Sequence, residues 1–167
     1  MNNTRMPRRP QRGFSMMEIL VTIVVLSIGL LGLSGLQLSA LRSNQTAYLR
    51  SVATTLSYDI SDRMRANMAA VATGDYNSPT ASQTAACLTN AGCTPAQMAQ
   101  NDAFEWQAAI QNALPNSAGV VCLDGTPDDG TPTATACDGS GQSYAIKIWW
   151  DDDRDDNFSL FATSFQP

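Results

Sequence analysis

The chain has 167 residues, 44% of them hydrophobic and 15% charged, which suits one modest domain plus a helical anchor. It carries 10 Lys and Arg against 15 Asp and Glu, a formal charge of −5, and no histidine. That balance argues against a nucleic-acid-binding surface, and the missing imidazole removes the commonest general base and catalytic zinc ligand.

The basic residues are unevenly placed. Arg5, Arg8, Arg9 and Arg12 all precede Gly13, and removing residues 1–13 leaves six basic against fifteen acidic side chains, a charge of −9. Arginines just ahead of an apolar segment place the N-terminus on the cytoplasmic side of a membrane. After Glu18 the next charge is Arg42, and the 23 uncharged residues between them are rich in Leu, Ile and Val. As a helix they would extend about 34 Å, enough for a hydrocarbon core of roughly 30 Å. A secretory signal peptide has a shorter apolar core followed by an A-x-A-like site, and neither fits here. A plain signal anchor explains the length but not Glu18, since an acid at the edge of a membrane segment is costly. Glu18 therefore sits at headgroup level or meets a specific partner. Gly29, Gly32 and Gly35 lie inside the apolar run. They would let neighbouring helices approach, let the segment unwind, or reflect the ordinary glycine content of membrane helices.

The helical pattern continues beyond the apolar run. No proline or glycine interrupts residues 38–64, and Leu49, Val52, Leu56, Ile60 and Met64 recur at spacings of three and four. One helix is predicted from near Phe14 to about Arg65, its second half packing under a head. Residues 68–93 are small and polar and read as loop, with Gly74, Pro79 and Gly92 as breakers. Thr94-Pro95-Ala96-Gln97 reads as a capping box with proline at the first helical position. Ala99, Ala103, Trp106, Ile110 and Leu114 continue that helix until Pro115, and Trp106 is expected in the core.

Val120 to Leu123 is a candidate strand. A turn-rich stretch follows, in which Asp-Gly-Thr-Pro occurs at 124–127 and again at 129–132. Tyr144 to Trp150 and Phe158 to Phe165 read as an antiparallel hairpin. Its tip, Asp151 to Asn157, is rich in carboxylates, but the EF-hand pattern fails: the sixth position is Asp156, not Gly, and the twelfth is Ala162, not Glu. The tip is read as solvated charge that resists edge pairing, with a different calcium loop as the alternative. The four cysteines, Cys87, Cys93, Cys122 and Cys137, allow three pairings. Cys87–Cys93 and Cys122–Cys137 are favoured because each closes a short local loop. A zinc site of four thiolates is the rival, but it lacks paired C-x2-C knuckles. No Ser–His–Asp set, phosphate loop or metal box is present, so neither an enzyme nor a cofactor is expected.

Gly13-Phe14-Ser15-Met16-Met17-Glu18 followed by the apolar run resembles the leader and N-terminus of type IV pilins and pseudopilins. The resemblance implies that a prepilin peptidase cuts between Gly13 and Phe14 and methylates Phe14. It also implies that Glu18 offsets the new ammonium during assembly. Residues 24–37 and 41–67, notably YLRS at 48–51 and DISDRMRAN at 59–67, resemble the PilV family of minor pilins. The implied fold is α+β: a long N-terminal helix with a small antiparallel-sheet head. The implied organisation is a leader (1–13, removed), a membrane and filament-core helix (14–37), an amphipathic continuation (38–67) and a disulfide-containing head (68–167). The expected function is a low-copy minor pilin that primes assembly or forms the tip, supporting motility or adhesion. A pseudopilin of type II secretion and a membrane-anchored receptor are the alternatives. Expected partners are the peptidase, the major pilin, other minor pilins, a tip adhesin and the inner membrane, but not nucleic acid. The head would be periplasmic first and then displayed on a fibre.

Overall fold

The computed structural model describes residues 13–153 and 155–166; the arginines of the leader lie outside the described residues. The elements run α1 (Met16–Ala66), α2 (Met68–Thr73), a 3-10 turn (Ala85–Leu88), α3 (Pro95–Ala113), β1 (Ala118–Leu123), β2 (Tyr144–Asp151) and β3 (Phe158–Phe165). The chain divides into two units, Met1–Asn44 and Gln45–Pro167.

In the first unit, α1 is exposed on every side. Its few hydroxyls bond back into the helix: Thr22, Ser27 and Ser34 donate to Ile19 O, Ile23 O and Leu30 O at 2.8, 2.7 and 2.8 Å. No donor on these side chains needs water, which suits an apolar surrounding.

The second unit has its own core. The remainder of α1 contributes Leu49, Ala53, Ile60 and Met64 as buried apolar residues, with Val52 and Leu56 partly buried against them. The stripe expected at 49, 52, 56, 60 and 64 is therefore shifted. Its most enclosed line also takes in Ala53, Ser57 and Ser61, whose small side chains let neighbours come close. Ser57 and Ser61 remain satisfied by donating to Thr54 O and Ser57 O, both at 2.7 Å.

Helix α2 and the 3-10 turn stand where the sequence reads as loop. Ala70 and Val71 are buried, and tertiary packing stabilises a run too short to be helical alone. Gly74, at φ +80°, ends α2 in the left-handed conformation, donating its N–H to Ala70 O and Val71 O. Helix α3 follows the predicted pattern. Thr94 Oγ1 accepts from Gln97 N at 3.2 Å, Gln97 Oε1 accepts from Thr94 N at 3.0 Å, and Pro95 opens the helix. Such a cap contributes about 1 kcal/mol. Leu114 turns extended ahead of Pro115. Ala99, Ala103, Trp106, Ile110 and Leu114 are all buried.

The three strands form one antiparallel sheet in the order β1-β2-β3. The register pairs Val121 with Ile146 and Ile146 with Thr163. One face of β2, Tyr144, Ile146, Ile148 and Trp150, joins the core with α1 and α3. Gly119 sits where β1 crosses α3: a Cβ there would lie 2.4 Å from Ile110 Cδ1 and 2.8 Å from Trp106 Cη2. The opposite face of β2 is buried as well, through Ala145, Lys147, Trp149 and Asp151. The architecture is thus the α+β arrangement read from the sequence.

Candidate functional site

At the N-terminal end, Gly13, Phe14 and Ser15 precede α1. Ser15 starts the helix: its carbonyl accepts from Glu18 N at 3.0 Å and Ile19 N at 3.2 Å, and its Oγ accepts from Met17 N at 3.3 Å. Glu18 lies in the first turn, where a carboxylate is favoured by the helix dipole. That accounts for an acid here in electrostatic terms, but not for an acid at the edge of an apolar segment. Phe14 is 80% exposed, and Glu18 is exposed too. Among the described residues, apart from chain neighbours and the helix's own backbone, nothing lies within 4 Å of a Cβ built at Gly13, Gly29, Gly32 or Gly35. The fold itself gives no steric reason for glycine at any of the four, so the requirement, where there is one, comes from contacts outside the chain.

Exposed leucines, isoleucines and valines line α1 from Ile19 to Leu41. Among the described residues one helix is long and apolar enough to cross a membrane, and it is α1. An apolar surface of this extent marks a membrane or protein contact.

In the head, the cysteines pair as Cys87–Cys93 and Cys122–Cys137. Cys122, Asp124 and Cys137 lie close together, but the thiols are consumed by the disulfide and offer no thiolate to a metal. Asp151, Asp153 and Asp155 form a second cluster. Here the reading of a solvated tip needs correction. Asp151 closes β2 and is buried, and its carboxylate accepts from Asp155 N at 3.3 Å and Asp156 N at 3.2 Å. Both oxygens are occupied in shaping the turn, while Asp153, Asp155 and Asp156 stay exposed. The Asp155 carboxylate beside it raises the pKa of Asp153. Arg154 falls outside the described residues.

Two polar networks, one buried and one partly exposed, were not foreseen. Lys147 Nζ, fully buried, lies 2.5 Å from Asp124 Oδ2 and 2.8 Å from Asp129 Oδ1, and donates to Thr135 O at 3.0 Å. Asp124 Oδ2 lacks a well-aligned hydrogen bond, so its contact with Lys147 is an ion pair in which proximity, not direction, supplies the attraction. Burial pushes the Lys147 pKa down, but its contacts with the two carboxylates outweigh it, and the net shift is upward. Asp129 is correspondingly lowered by its bond to Lys147. The sequence did carry a signal: a lysine in the middle of Tyr-Ala-Ile-Lys-Ile-Trp-Trp needs a partner if both faces are buried. The second network ties α3 to α1. Tyr76 Oη donates to Asp102 Oδ2 at 2.5 Å, and Arg63 reaches Asp102 at 3.4 Å and Glu105 at 2.7 Å. Trp106 Nε1 donates to Leu56 O at 2.8 Å. Both networks serve packing.

Residues 8–34 match the prokaryotic N-terminal methylation motif, and residues 35–104 match the Tt1218-like family, described as type IV pilin Tt1218. No curated protein and no solved structure matches the chain. The first match covers the Gly13–Glu18 site, and the second covers most of α1 together with α2 and the first part of α3.

Proposed function

We propose that this chain is a minor pilin of a type IV pilus, trimmed between Gly13 and Phe14 and assembled through α1; the matches of residues 35–104 to a type IV pilin family and of residues 8–34 to the N-terminal methylation motif support this reading. The observation that carries the reading is the first unit itself: an apolar helix exposed along its described length, headed by Gly13, Phe14 and Glu18. Cutting after Gly13 creates an ammonium at Phe14, one turn from Glu18. In a bundle of such helices, where water is scarce, this charge and a carboxylate neutralise each other; either alone would be strongly unfavourable. N-methylation of Phe14 retains the positive charge. Before assembly the same helix anchors the chain in the inner membrane, with its basic end cytoplasmic and its head periplasmic. That compartment permits both disulfides. The likeness of residues 48–51 and 59–67 to PilV favours a low-copy subunit that primes assembly or forms the tip, next to the major pilin, other minor pilins and an adhesin.

The test pairs two substitutions in cells making the full chain. Gly13→Val is expected to retain residues 1–13 by intact mass. Glu18→Gln is expected to lower the amount recovered in sheared fibres at least tenfold. Unchanged trimming and unchanged incorporation would overturn the proposal. Deleting the gene and scoring twitching against protein secretion separates a pilus subunit from a secretion pseudopilin, which uses the same anchor.

A further inference from the structure

The two edges of the sheet are treated differently. On the free side of β1, Ser78 N donates to Val121 O at 2.9 Å, Leu123 N donates to Asn77 Oδ1 at 2.9 Å, and Gln107 Nε2 donates to Gly119 O at 3.3 Å. These contacts fall on residues 119, 121 and 123, so residues 118, 120 and 122 are the ones bonded to β2, because in an antiparallel pair both backbone groups of a residue face the same side. Carried through the register, Tyr144, Ile146, Ile148 and Trp150 bond to β3, and Phe158, Leu160, Ala162 and Ser164 turn their backbone groups away from the sheet. Among the described residues none bonds to those outward groups.

An open edge is usually blunted by lysine, proline, a bulge or a short strand. Strand β3 is eight residues long, FSLFATSF, with no charge, proline or glycine. The carboxylates of 151–156 lie beyond one end of it. Alongside, α1 and β3 enclose a groove of about 130 Å³, lined by Ser57, Tyr58, Arg65, Phe161 and Phe165 among others. That is room for one mid-sized side chain. Tyr58 is 64% exposed, and the Arg65 guanidinium rests over the Phe165 ring, 5.3 Å from its centroid. Its one ion pair among the described residues, with Asp62, is a solvent-exposed i,i+3 contact and exchanges readily.

We propose that the β3 edge accepts an extended, acidic segment of a partner polypeptide as a fourth strand. Its backbone bonds to Leu160, Ala162 and Ser164, one side chain enters the groove, and a carboxylate meets Arg65. Backbone addition of this kind takes affinity from main-chain bonds and specificity from pockets for alternate side chains. A second copy pairing through its own β3 fits poorly, because that strand, FSLFATSF, has no acid to offer Arg65. The inference stands on the sheet geometry and does not require that the chain enter a fibre.

The test places a photo-cross-linking amino acid at 160, 162 or 164 of the full chain in cells, with Asn90 as an exposed control, and maps adducts to the residue by mass spectrometry. Adducts along one acidic segment of another protein, advancing by two residues for each two-residue step along β3, are expected. Arg65→Gln should lower their yield at least threefold. No adduct above the control, partner positions spaced by three or four as on a helix, links to a second copy, or a yield indifferent to Arg65→Gln would overturn it.

Discussion

Lys147 is the residue on which the outer layer of the head turns. With both its side chain and that of Asp124 at 0% exposure, removing one partner leaves a buried charge unmatched. Lys147→Met should destabilise the head by about 3–5 kcal/mol, and Lys147→Met with Asp124→Leu should recover most of that loss. Asp129 is half exposed and can turn to solvent in either variant. The check is urea unfolding of the full chain in detergent, followed by the fluorescence of Trp106, Trp149 and Trp150, all buried. A double variant as unstable as the single one would mean the pair acts through packing and not through charge. Gly119 offers a second test at this scale. A methyl group there must displace Ile110 or Trp106, both already packed, so Gly119→Ala is expected to cost about 1–3 kcal/mol. Gly35→Ala, which meets nothing in the chain, should leave the head's midpoint unchanged.

At the scale of elements, local and distant causes separate cleanly. Helix α3 is written in its own residues, with Thr94, Pro95 and Gln97 at the start, an apolar line along it, and Leu114-Pro115 at the end. Helix α2 is different: its six residues carry no side-chain cap, and their helicity rests on burying Ala70 and Val71. The segment after β1 is held by two further devices, the Cys122–Cys137 bridge and the bonds from Lys147. A bridge constrains the unfolded chain more as its loop lengthens. Replacing Cys122 and Cys137 by serine should therefore cost about 3 kcal/mol, and replacing Cys87 and Cys93 about 2. Denaturant midpoints of the two variants, at equal slope, decide the order; a larger loss from the 87–93 bridge would contradict it.

For the whole molecule, protonation sets the window in which the head is stable. Glu105 is lowered by its bond to Arg63, which outweighs burial, and Asp129 is lowered by Lys147. The unfolded chain therefore takes up more protons on acidification, and stability falls below about pH 4–5. Tyr76 is raised by burial and by its bond to Asp102, and Lys147 is raised by its carboxylates despite burial. The folded head keeps protons that the unfolded chain releases, so stability falls again above about pH 10. Thermal midpoints should be flat between these limits; a midpoint that rises steadily from pH 7 to 11 would contradict the assignment. Apolar length, helical and alternating spacing, and capping residues determined from sequence alone the membrane-length helix, α3 and the strand hairpin. Each of these depends on neighbours a few residues apart. Only the tertiary structure decided that α2 forms, that both faces of β2 are buried around Lys147, that Asp151 turns inward, and that β1 is covered while β3 is open. Those outcomes depend on which distant side chains meet in space, because burial and the partner of a charge belong to the packed chain and not to a stretch of it.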